Sequence, residues 1–344
     1  MPPTQLKTVL VTGGLGYIGS HTCVALAQAG CRLEIVDNLS NSKESVLPRL
    51  RELAGAEIPF HRADLRDAPS VVKIFSKTRF DAVVHFAGLK AVGESVEKPA
   101  LYREVNVGGT RVLLEGMAQH LVPALVFSSS ATVYGEPEHL PIREDHRLAP
   151  QSPYGETKLA IEALLAERSV TDPGFRYAAL RYFNPTGAHP SGRIGEDPRG
   201  VPSNLFPYIA QVAVGRHRAL RVWGNDYPTP DGTGVRDYIH VMDLARGHVA
   251  ALGYLDAMRR SITVNLGTGR GYSVLEAVKA FEAASGKSVP VEMHPRRPGD
   301  VAACYADPSL AKKELKWSAQ LGLDAMCRDA WRWQSMNPGG YPDL

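Results

Sequence analysis

The stretch that most constrains the fold lies near the N-terminus, where an apolar run meets a glycine-rich turn. Thr8–Val11 is typical of a strand, and Tyr17–Ala29 carries apolar residues at helical spacing. Between them the glycines fall at Gly13, Gly16 and Gly19, a GxxGxxG spacing in place of the commoner GxGxxG. We predict that Gly13 permits the turn, Gly16 lets backbone N–H groups approach a pyrophosphate, and Gly19 lets the helix pack on the sheet. A glycine-rich turn without a ligand is the alternative.

The end of the second predicted strand indicates which dinucleotide would bind. Leu33–Val36 is followed by Asp37, whose carboxylate can accept from both ribose hydroxyls and would repel a 2′-phosphate. No arginine follows within Asn38–Ser40, so the sequence favours NAD over NADP. Aspartate is also a common turn residue, and alone it carries little weight.

Later strand ends add further candidate cofactor contacts. Asp64 and Leu65 could flank an adenine, and Phe86–Lys90 follows the apolar run Phe80–His85 with small residues that let a dinucleotide pass close to the backbone. A long helix is predicted over Ala100–Ala118. It contains Asn106, which is either a hydrogen-bonded core residue or a neighbour of the ligand.

A candidate acid–base pair lies in Ser152–Lys158, which reads SPYGETK. Tyr154 and Lys158 are four residues apart, so on a helix they share a face, where the ammonium favours the phenolate. A free tyrosine titrates at about 10, so a base active near neutrality needs a shift of about 3 units. A bound oxidised nicotinamide would supply a second positive charge. Ser128–Ser130 ends a neighbouring strand and could face Tyr154; the alternative is an exposed tyrosine beside a solvated lysine.

Alternating strands and helices through Arg181 predict an α/β fold with a doubly wound parallel sheet of the Rossmann type. Its ligand should lie at the carboxyl ends of the strands, where these candidates cluster. The length of 344 residues suggests two domains. We assign 1–181, with 236–262 returning to it, to an NAD-binding domain, and 182–235 with 263–344 to a smaller C-terminal α/β lobe that binds the substrate.

Composition narrows the functional class. With 44% hydrophobic and 22% charged residues, the chain is typical of a globular protein. A net charge of +3 gives no argument for nucleic acid or membrane partners, and no apolar run reaches the length of about 18 residues needed for a membrane helix. The four cysteines show no metal-ligand spacing, so we expect reduced thiols, no metal and a cytoplasmic location.

The second lobe offers candidates for substrate binding. Two arginines far apart in sequence suit a pyrophosphate, which arginine binds with bidentate geometry, although pairing with surface carboxylates is the commoner fate of an arginine. Trp223 could stack on a nucleobase or belong to the core. The candidates are Asn184, Asn204, Trp223, Arg236, Arg297 and Asp300.

Eight motifs together carry a resemblance to a known family. They read GGLGYIG, DNLSNS, FAGLKAVGES, SSSATVYGE, SPYGETK, RYFNPTGAHPSG, GTGVRDYIHVMDLA and RRPGD. The chain resembles the UDP-glucose 4-epimerase branch of the extended short-chain dehydrogenase/reductase family from about Val9 to Pro342. The resemblance implies interconversion of UDP-galactose and UDP-glucose by reversible hydride transfer from C4 to tightly bound NAD, through a 4-keto sugar that rotates before the hydride returns.

The resemblance also assigns roles to residues. Tyr154 would be the acid–base, Lys158 would bond the nicotinamide ribose and lower the pKa of Tyr154, and Ser130 would bond the sugar 4-oxygen. Cofactor contacts would be Gly13, Gly16, Tyr17, Ile18, Gly19, Asp37, Asn38, Asp64, Leu65, Phe86, Ala87, Lys90, Asn106, Ser128, Tyr154, Lys158 and Phe183. Substrate contacts would be Lys90, Ser130, Tyr154, Asn184, Asn204, Leu205, Trp223, Arg236, Arg297, Asp300 and Cys304.

Three further expectations follow from the resemblance. A small residue at Cys304 widens the sugar pocket in the family, so we hypothesise activity on UDP-N-acetylglucosamine and UDP-N-acetylgalactosamine. A homodimer is implied, packed through helices near Ala100–Ala118 and Tyr154–Arg168. The alternatives are a nucleotide-sugar 4,6-dehydratase, for which Ala131–Val133 lacks the acid pair that removes water, and a non-catalytic NAD-binding module, against which the intact Ser130, Tyr154 and Lys158 argue.

Overall fold

The computed structural model describes residues 7–297 and 299–343. Its strands, numbered in chain order, are β1 (Thr8–Thr12), β2 (Arg32–Asp37), β3 (Phe60–Arg62), β4 (Ala82–His85), β5 (Ala124–Ser130), β6 (Arg176–Tyr182), β7 (Asn184–Thr186), β8 (Leu220–Trp223), β9 (Val235–Arg236), β10 (Tyr238–His240), β11 (Ile262–Leu266), β12 (Tyr272–Ser273), β13 (Val291–His294) and β14 (Ala303–Cys304).

The α-helices are α1 (Tyr17–Gln28), α2 (Val46–Ala54), α3 (Ala68–Lys77), α4 (Val92–Glu97), α5 (Pro99–Tyr102), α6 (Gly109–Gln119), α7 (Pro153–Thr171), α8 (Leu205–Ala213), α9 (Val241–Met258), α10 (Val274–Ser285), α11 (Ser309–Glu314) and α12 (Leu323–Met336). A π-helical segment, Arg103–Gly108, joins α5 to α6, and a 3₁₀ turn, Ala131–Val133, follows β5.

The central sheet confirms the doubly wound α/β prediction. Its strand order is β11-β6-β5-β4-β1-β2-β3, and the paired strands run parallel. The chain winds one way from β1 to β3 and then returns to β4 on the other side of β1. The carboxyl ends of β1 and β4 therefore border the crevice where open sheets of this type bind ligands.

Both faces of the sheet are covered, because the strands present apolar side chains to either side. Val9 and Val11 of β1 belong to a buried cluster with α1, α2 and α9, while Leu10 belongs to a second cluster with α3, α6 and α7. This alternation follows the two-residue period of a strand. Burying each such side chain stabilises the fold by about 1.5–3 kcal/mol, so the site rests on a rigid layer.

The smaller lobe is built from short strands and three helices. β8 pairs with β13, β9 lies between β12 and β14, and helices α8, α10 and α12 enclose a separate apolar cluster. Ser273 and Glu276 form a reciprocal capping box at the start of α10.

Two local predictions need correction. The helix predicted over Ala100–Ala118 is interrupted by the π-helical segment, which holds Asn106. The strand Ile262–Leu266, whose residues from 263 onward we assigned to the smaller lobe, pairs with β6 in the central sheet.

Two global properties concern cysteines and membranes. All four cysteines lie among the described residues, and none of them forms a disulfide there. Within residues 7–297 and 299–343, no helix is long and apolar enough to cross a membrane.

Candidate active site

A cavity lies at the carboxyl ends of β1, β2, β4 and β5, where the sequence predicted the cofactor. Most of the predicted cofactor residues line it, although they come from separate parts of the chain. They are Gly13, Gly16, Tyr17, Ile18, Gly19, Asp37, Asn38, Asp64, Leu65, Phe86, Ala87, Lys90, Ser128, Tyr154 and Lys158.

The glycine loop is closely packed against its surroundings. Gly13 has φ +67°, and a Cβ there would lie 2.7 Å from the backbone nitrogen of Ala87. A Cβ on Gly19 would lie 2.3 Å from the carbonyl oxygen of Gly13. The close approach that Gly19 permits is therefore between α1 and the loop, while α1 packs on the sheet through other residues, such as Val24 and Leu26.

The N-terminus of α1 faces this cavity with its amides available. Among the described residues, no side chain caps the N-terminus of α1 at Gly16, and the first turn of the helix contains no acidic residue. The first N–H groups of a helix have no partner within the helix and carry a partial positive charge. The cavity end of α1 can therefore accept a pyrophosphate.

Asp37 and Asp64 occupy the far end of the cavity. The buried carboxylate of Asp37 accepts from the N–H of Leu15 (3.1 Å), the N–H of Leu39 (2.9 Å) and the hydroxyl of Ser42 (2.8 Å). Two carboxylate oxygens have about four acceptor positions, so capacity for a ribose hydroxyl is left. Asn38 donates to Asp64 at 2.9 Å, which fixes the two residues relative to each other.

Asn106 and Phe183 are not among the described residues that line this cavity. Asn106 is buried, and its carboxamide accepts from the N–H of Leu89 (2.7 Å) and donates to the Leu89 carbonyl (3.1 Å) and the Thr157 hydroxyl (3.0 Å). Phe183 packs in a small apolar cluster that includes Val133. The structure thus places Asn106 as a support for the Leu89 loop, the core alternative left open by the sequence.

Tyr154 and Lys158 lie on the first turns of α7, which begins with the hydroxyl of Ser152 accepting from the N–H of Gly155. Burial raises the pKa of Tyr154 to about 12, and its hydrogen bond with Ser130 lowers it in part. Burial lowers the pKa of Lys158 to about 8, and the charge of Glu162 opposes that shift. Burial therefore moves the two pKa values apart, to about 12 and about 8, and on its own it favours the neutral phenol of Tyr154.

Lys158 is held by β5 and does not bond directly to the phenol. Its ammonium donates to the carbonyl oxygen of Ser128 at 2.7 Å and lies 5.7 Å from the centroid of the Tyr154 ring. At this distance it can influence Tyr154 only through its charge. Two of its three protons remain to bind other acceptors in the cavity.

A second cavity lies in the smaller lobe and gathers predicted substrate residues from distant parts of the chain. Arg236 is in β9, whereas Arg297 lies about sixty residues later, next to Asp300, with which it forms an ion pair at 2.8 Å. The guanidinium of Arg297 also lies 5.9 Å from the centroid of the Trp223 ring. The predicted residues that line this cavity are Asn184, Asn204, Leu205, Trp223, Arg236, Arg297 and Asp300.

Glu196, which the sequence reasoning missed, links the two cavities. One oxygen of its buried carboxylate accepts from the ammonium of Lys90 at 3.1 Å and from the side-chain amide of Asn204 at 2.9 Å. Lys90 lines the first cavity and Asn204 the second. The only sequence sign was an acid within an irregular run, which is typical of solvated loops.

The C-terminal segment is the second feature that we missed. Tyr341 lines the first cavity, its N–H donates to Asp197 at 2.9 Å, and its carbonyl accepts from Lys43 at 2.8 Å. The segment thereby joins the loop after β2 to the loop that holds Glu196. No local pattern distinguishes this tyrosine from other aromatic residues.

Ser130 and Cys304 are not among the described residues that line either cavity. The hydroxyl of Ser130 accepts from the N–H of Thr132 at 3.2 Å and also forms a hydrogen bond with the side chain of Tyr154. Cys304 pairs in register with Arg236 and packs on the same cluster as Ala131. Burial raises the pKa of its thiol to about 11. Cys304 therefore lies between the end of β5 and the cavity of the smaller lobe.

Among the described residues, no group of three or more His, Cys, Asp or Glu side chains could hold a metal ion.

Comparisons with known proteins agree with this geometry. Residues 10–330 match the family model described as GDP-mannose 4,6 dehydratase. The UDP-glucose 4-epimerase of Bacillus subtilis is 57% identical over 97% of this chain and 98% of its own length. A UDP-glucose 4-epimerase from Stenotrophomonas maltophila, solved with NAD and formylated UDP-arabinopyranose, gives a TM-score of 0.95 at 52% identity, covering 96% of this chain and 99% of that one.

A further solved relative supports the same assignment. The UDP-glucose 4-epimerase of Bifidobacterium longum, in complex with NAD+ and UDP, gives a TM-score of 0.94 at 50% identity, covering 97% of this chain and all of that one. The family model spans most of the chain, and curated relatives above half identity extend along nearly all of it. The chain therefore belongs to the UDP-glucose 4-epimerase branch of the extended short-chain dehydrogenase/reductase family.

Proposed function

We propose that this chain is an NAD-dependent UDP-glucose 4-epimerase that interconverts UDP-galactose and UDP-glucose. The observation that carries the proposal is the placement of Tyr154 and Lys158 on the wall of the dinucleotide cavity, with Ser130 bonded to Tyr154. Relatives above half identity carry the same name over nearly the full chain, which supports this choice of reaction. A 4,6-dehydratase is less well supported, because Ala131–Val133 supplies no acid next to Ser130.

The residues present fit a bound NAD. The uncapped start of α1 suits the pyrophosphate. A Cβ on Gly13 would collide with the backbone of Ala87, and one on Gly19 with the carbonyl oxygen of Gly13, so both positions need glycine. Asp37 suits the ribose hydroxyls of the adenosine half and disfavours a 2′-phosphate. Lys158, held by the Ser128 carbonyl, keeps protons free for the ribose of the nicotinamide half.

Tyr154 moves the proton in the proposed mechanism. When bound, NAD supplies a reversible hydride acceptor and a positive charge at the nicotinamide ring. The phenolic oxygen of Tyr154 takes the proton of the sugar 4-hydroxyl, and Ser130 orients that hydroxyl by hydrogen bonding. The Lys158 ammonium stabilises the phenolate by its charge. In the return step the phenol gives the proton back to the opposite epimer.

The second cavity holds the UDP part of the substrate. Arg236 and Arg297 suit its pyrophosphate, Trp223 suits the uracil ring, and Asn204 at the start of α8 suits a phosphate or ribose oxygen. These contacts grip UDP and leave the hexose free at the junction near Ser130 and Cys304. A hexose free to turn can present either face of C4, which epimerisation requires.

Incubation of the purified protein with UDP-galactose, without added NAD, tests the proposal. We expect UDP-glucose as the product, separated by chromatography. Tyr154→Phe should lower kcat by at least about a hundredfold, within the range that acid–base groups contribute. An inactive wild-type protein that contains NAD would refute the proposed function, and an unaffected Tyr154→Phe variant would move the base elsewhere.

We further propose that N-acetylated UDP-sugars are substrates. The support is the small side chain of Cys304, which pairs in register with Arg236 next to the end of β5. Substitution by the larger tyrosine should abolish turnover of UDP-N-acetylgalactosamine and spare that of UDP-galactose. If the wild-type enzyme leaves the N-acetyl sugar unchanged at high enzyme concentration, this extension is wrong.

A homodimer in the cytoplasm is the remaining part of the proposal. The support is that α4 and α7 lie side by side, and that Val92 and Val96 of α4 are 45% and 63% exposed. Light scattering after gel filtration should give about twice the chain mass, and Val96→Glu should convert the dimer to monomer. A wild-type monomer would contradict it.

A further inference from the structure

Strand β5 ends in three serines whose side chains alternate between two faces. Ser128 accepts from Lys158 through its carbonyl, and Ser130 is bonded to Tyr154. Ser129, between them, is fully buried and donates to Oε1 of Glu162 at 2.5 Å. The residue between the two serines that meet the catalytic side chains is therefore held by the carboxylate of Glu162.

Glu162 lies on α7, one turn after Lys158. Its carboxylate pairs with Arg181 of β6 through two hydrogen bonds, Nε to Oε1 at 3.0 Å and Nη2 to Oε2 at 2.6 Å. The two side chains are 9% and 6% exposed. Arg181 also donates to the hydroxyl of Tyr134 at 3.1 Å and to the carbonyl of Glu144 at 3.2 Å. Glu162 thus joins α7 to the ends of β5 and β6.

We propose that Glu162 is a positioning residue for the reaction: it fixes Ser129, and with it the strand end that holds Lys158 and Tyr154, and it keeps a negative charge one turn from the Lys158 ammonium. This inference rests on the proposed epimerase function and goes beyond it. A buried ion pair adds little net stability relative to apolar residues of similar size, so a stabilising role alone gives no reason for a charge here.

The surroundings of Lys158 support the electrostatic part. Burial lowers the pKa of Lys158 to about 8, and Glu162 raises it. The buried or partly buried titratable groups around it include Tyr154 of α7, His85 of β4, Arg181 and Tyr182 of β6, Tyr102 of α5 and Glu94 of α4. Arg103 and Glu104 of the π-helical segment and Glu156 of α7 are exposed to solvent. Burial keeps His85 and the three tyrosines neutral near pH 7, and Glu94 is bonded to Tyr102 and Lys98. Without Glu162, the charge of Arg181 would act on Lys158 unopposed.

Glu162→Gln tests the inference, with Glu156→Gln as a control on an exposed site of the same helix. We expect kcat to fall at least tenfold while KM for UDP-galactose stays within about twofold. The alkaline limb of the kcat profile, set by loss of the Lys158 proton, should move to lower pH by about one unit. Glu162→Asp should restore that limb, because it restores the charge. NAD content and circular dichroism should match those of wild type.

The inference would be overturned if the alkaline limb of Glu162→Gln lay at the same pH as that of wild type and its kcat fell only in proportion to the fraction of folded protein. If that variant does not fold, Ser129→Ala carries the test, because it leaves the ion pair in place. It should lower kcat severalfold with KM and the alkaline limb unchanged, and a wild-type kcat would overturn the anchoring role. An ¹⁵N NMR titration of Lys158 reads the same shift without turnover, so an inactive wild type would refute the epimerase proposal separately.

Discussion

The charge state of the cofactor should control the titration of Tyr154. Burial raises the pKa of Tyr154 to about 12. Lowering it to about 7 requires about five units, or about 7 kcal/mol at about 1.36 kcal/mol per unit. One positive charge within about 4–6 Å supplies about 1–3 units. The Lys158 ammonium, 5.7 Å from the ring centroid, is already in place when the pKa is about 12, so oxidised nicotinamide is the positive charge still to be added.

The measurement compares two forms of one enzyme. Ultraviolet difference titration follows tyrosinate formation with the bound cofactor either oxidised and positively charged or reduced and neutral at the ring. The Tyr154→Phe titration is subtracted from each. We expect Tyr154 to titrate at least about one unit lower with the oxidised cofactor. Equal pKa values in the two forms would refute the argument that nicotinamide charge helps to make the base.

Three further substitutions test the two cavities. Gly19→Ala would place a Cβ 2.3 Å from the Gly13 carbonyl oxygen and should lower the NAD released per denatured chain at least tenfold, whereas Gly93→Ala, with open space around it, should not; equal NAD contents would contradict this. Arg236→Lys keeps the charge and loses the fork, so KM for UDP-galactose should rise about tenfold with kcat unchanged, and an unchanged KM would exclude a diphosphate contact. Tyr341→Ala should speed loss of NAD during dialysis, with kcat restored by excess NAD; wild-type retention would exclude a role for the C-terminal segment.

Features governed by local chain geometry were predictable from the sequence. Gly13–Gly19 and Asp37 each follow a strand, and parallel strands bring their carboxyl ends to one edge, so both line the predicted cavity. Tyr154 and Lys158 share a helix face by their spacing alone. The joint role of Arg236 and Arg297 could be predicted only with the help of the family resemblance, because no local pattern relates two residues so far apart in the sequence.

Features that depend on distant contacts were not predictable. Tyr341 meets Asp197 across 144 positions, and Glu196 joins residues of two lobes. Glu162 looks like a surface acid within an amphipathic helix until β6 places Arg181 against it. The apolar pattern of Ile262–Leu266 does not specify its pairing with β6, so the sequence did not place residues 263–266 in the central sheet.

The fate of the hydrogen at C4 tests the central claim most directly. The enzyme is incubated with UDP-galactose deuterated at C4, without added NAD, and the UDP-glucose formed is analysed by mass spectrometry and NMR. Because the hydride leaves and returns within one closed site, we predict that the deuterium is retained at C4 with inverted configuration. Exchange of that deuterium for solvent hydrogen would contradict hydride transfer and, with it, the roles assigned to the dinucleotide cavity and Tyr154.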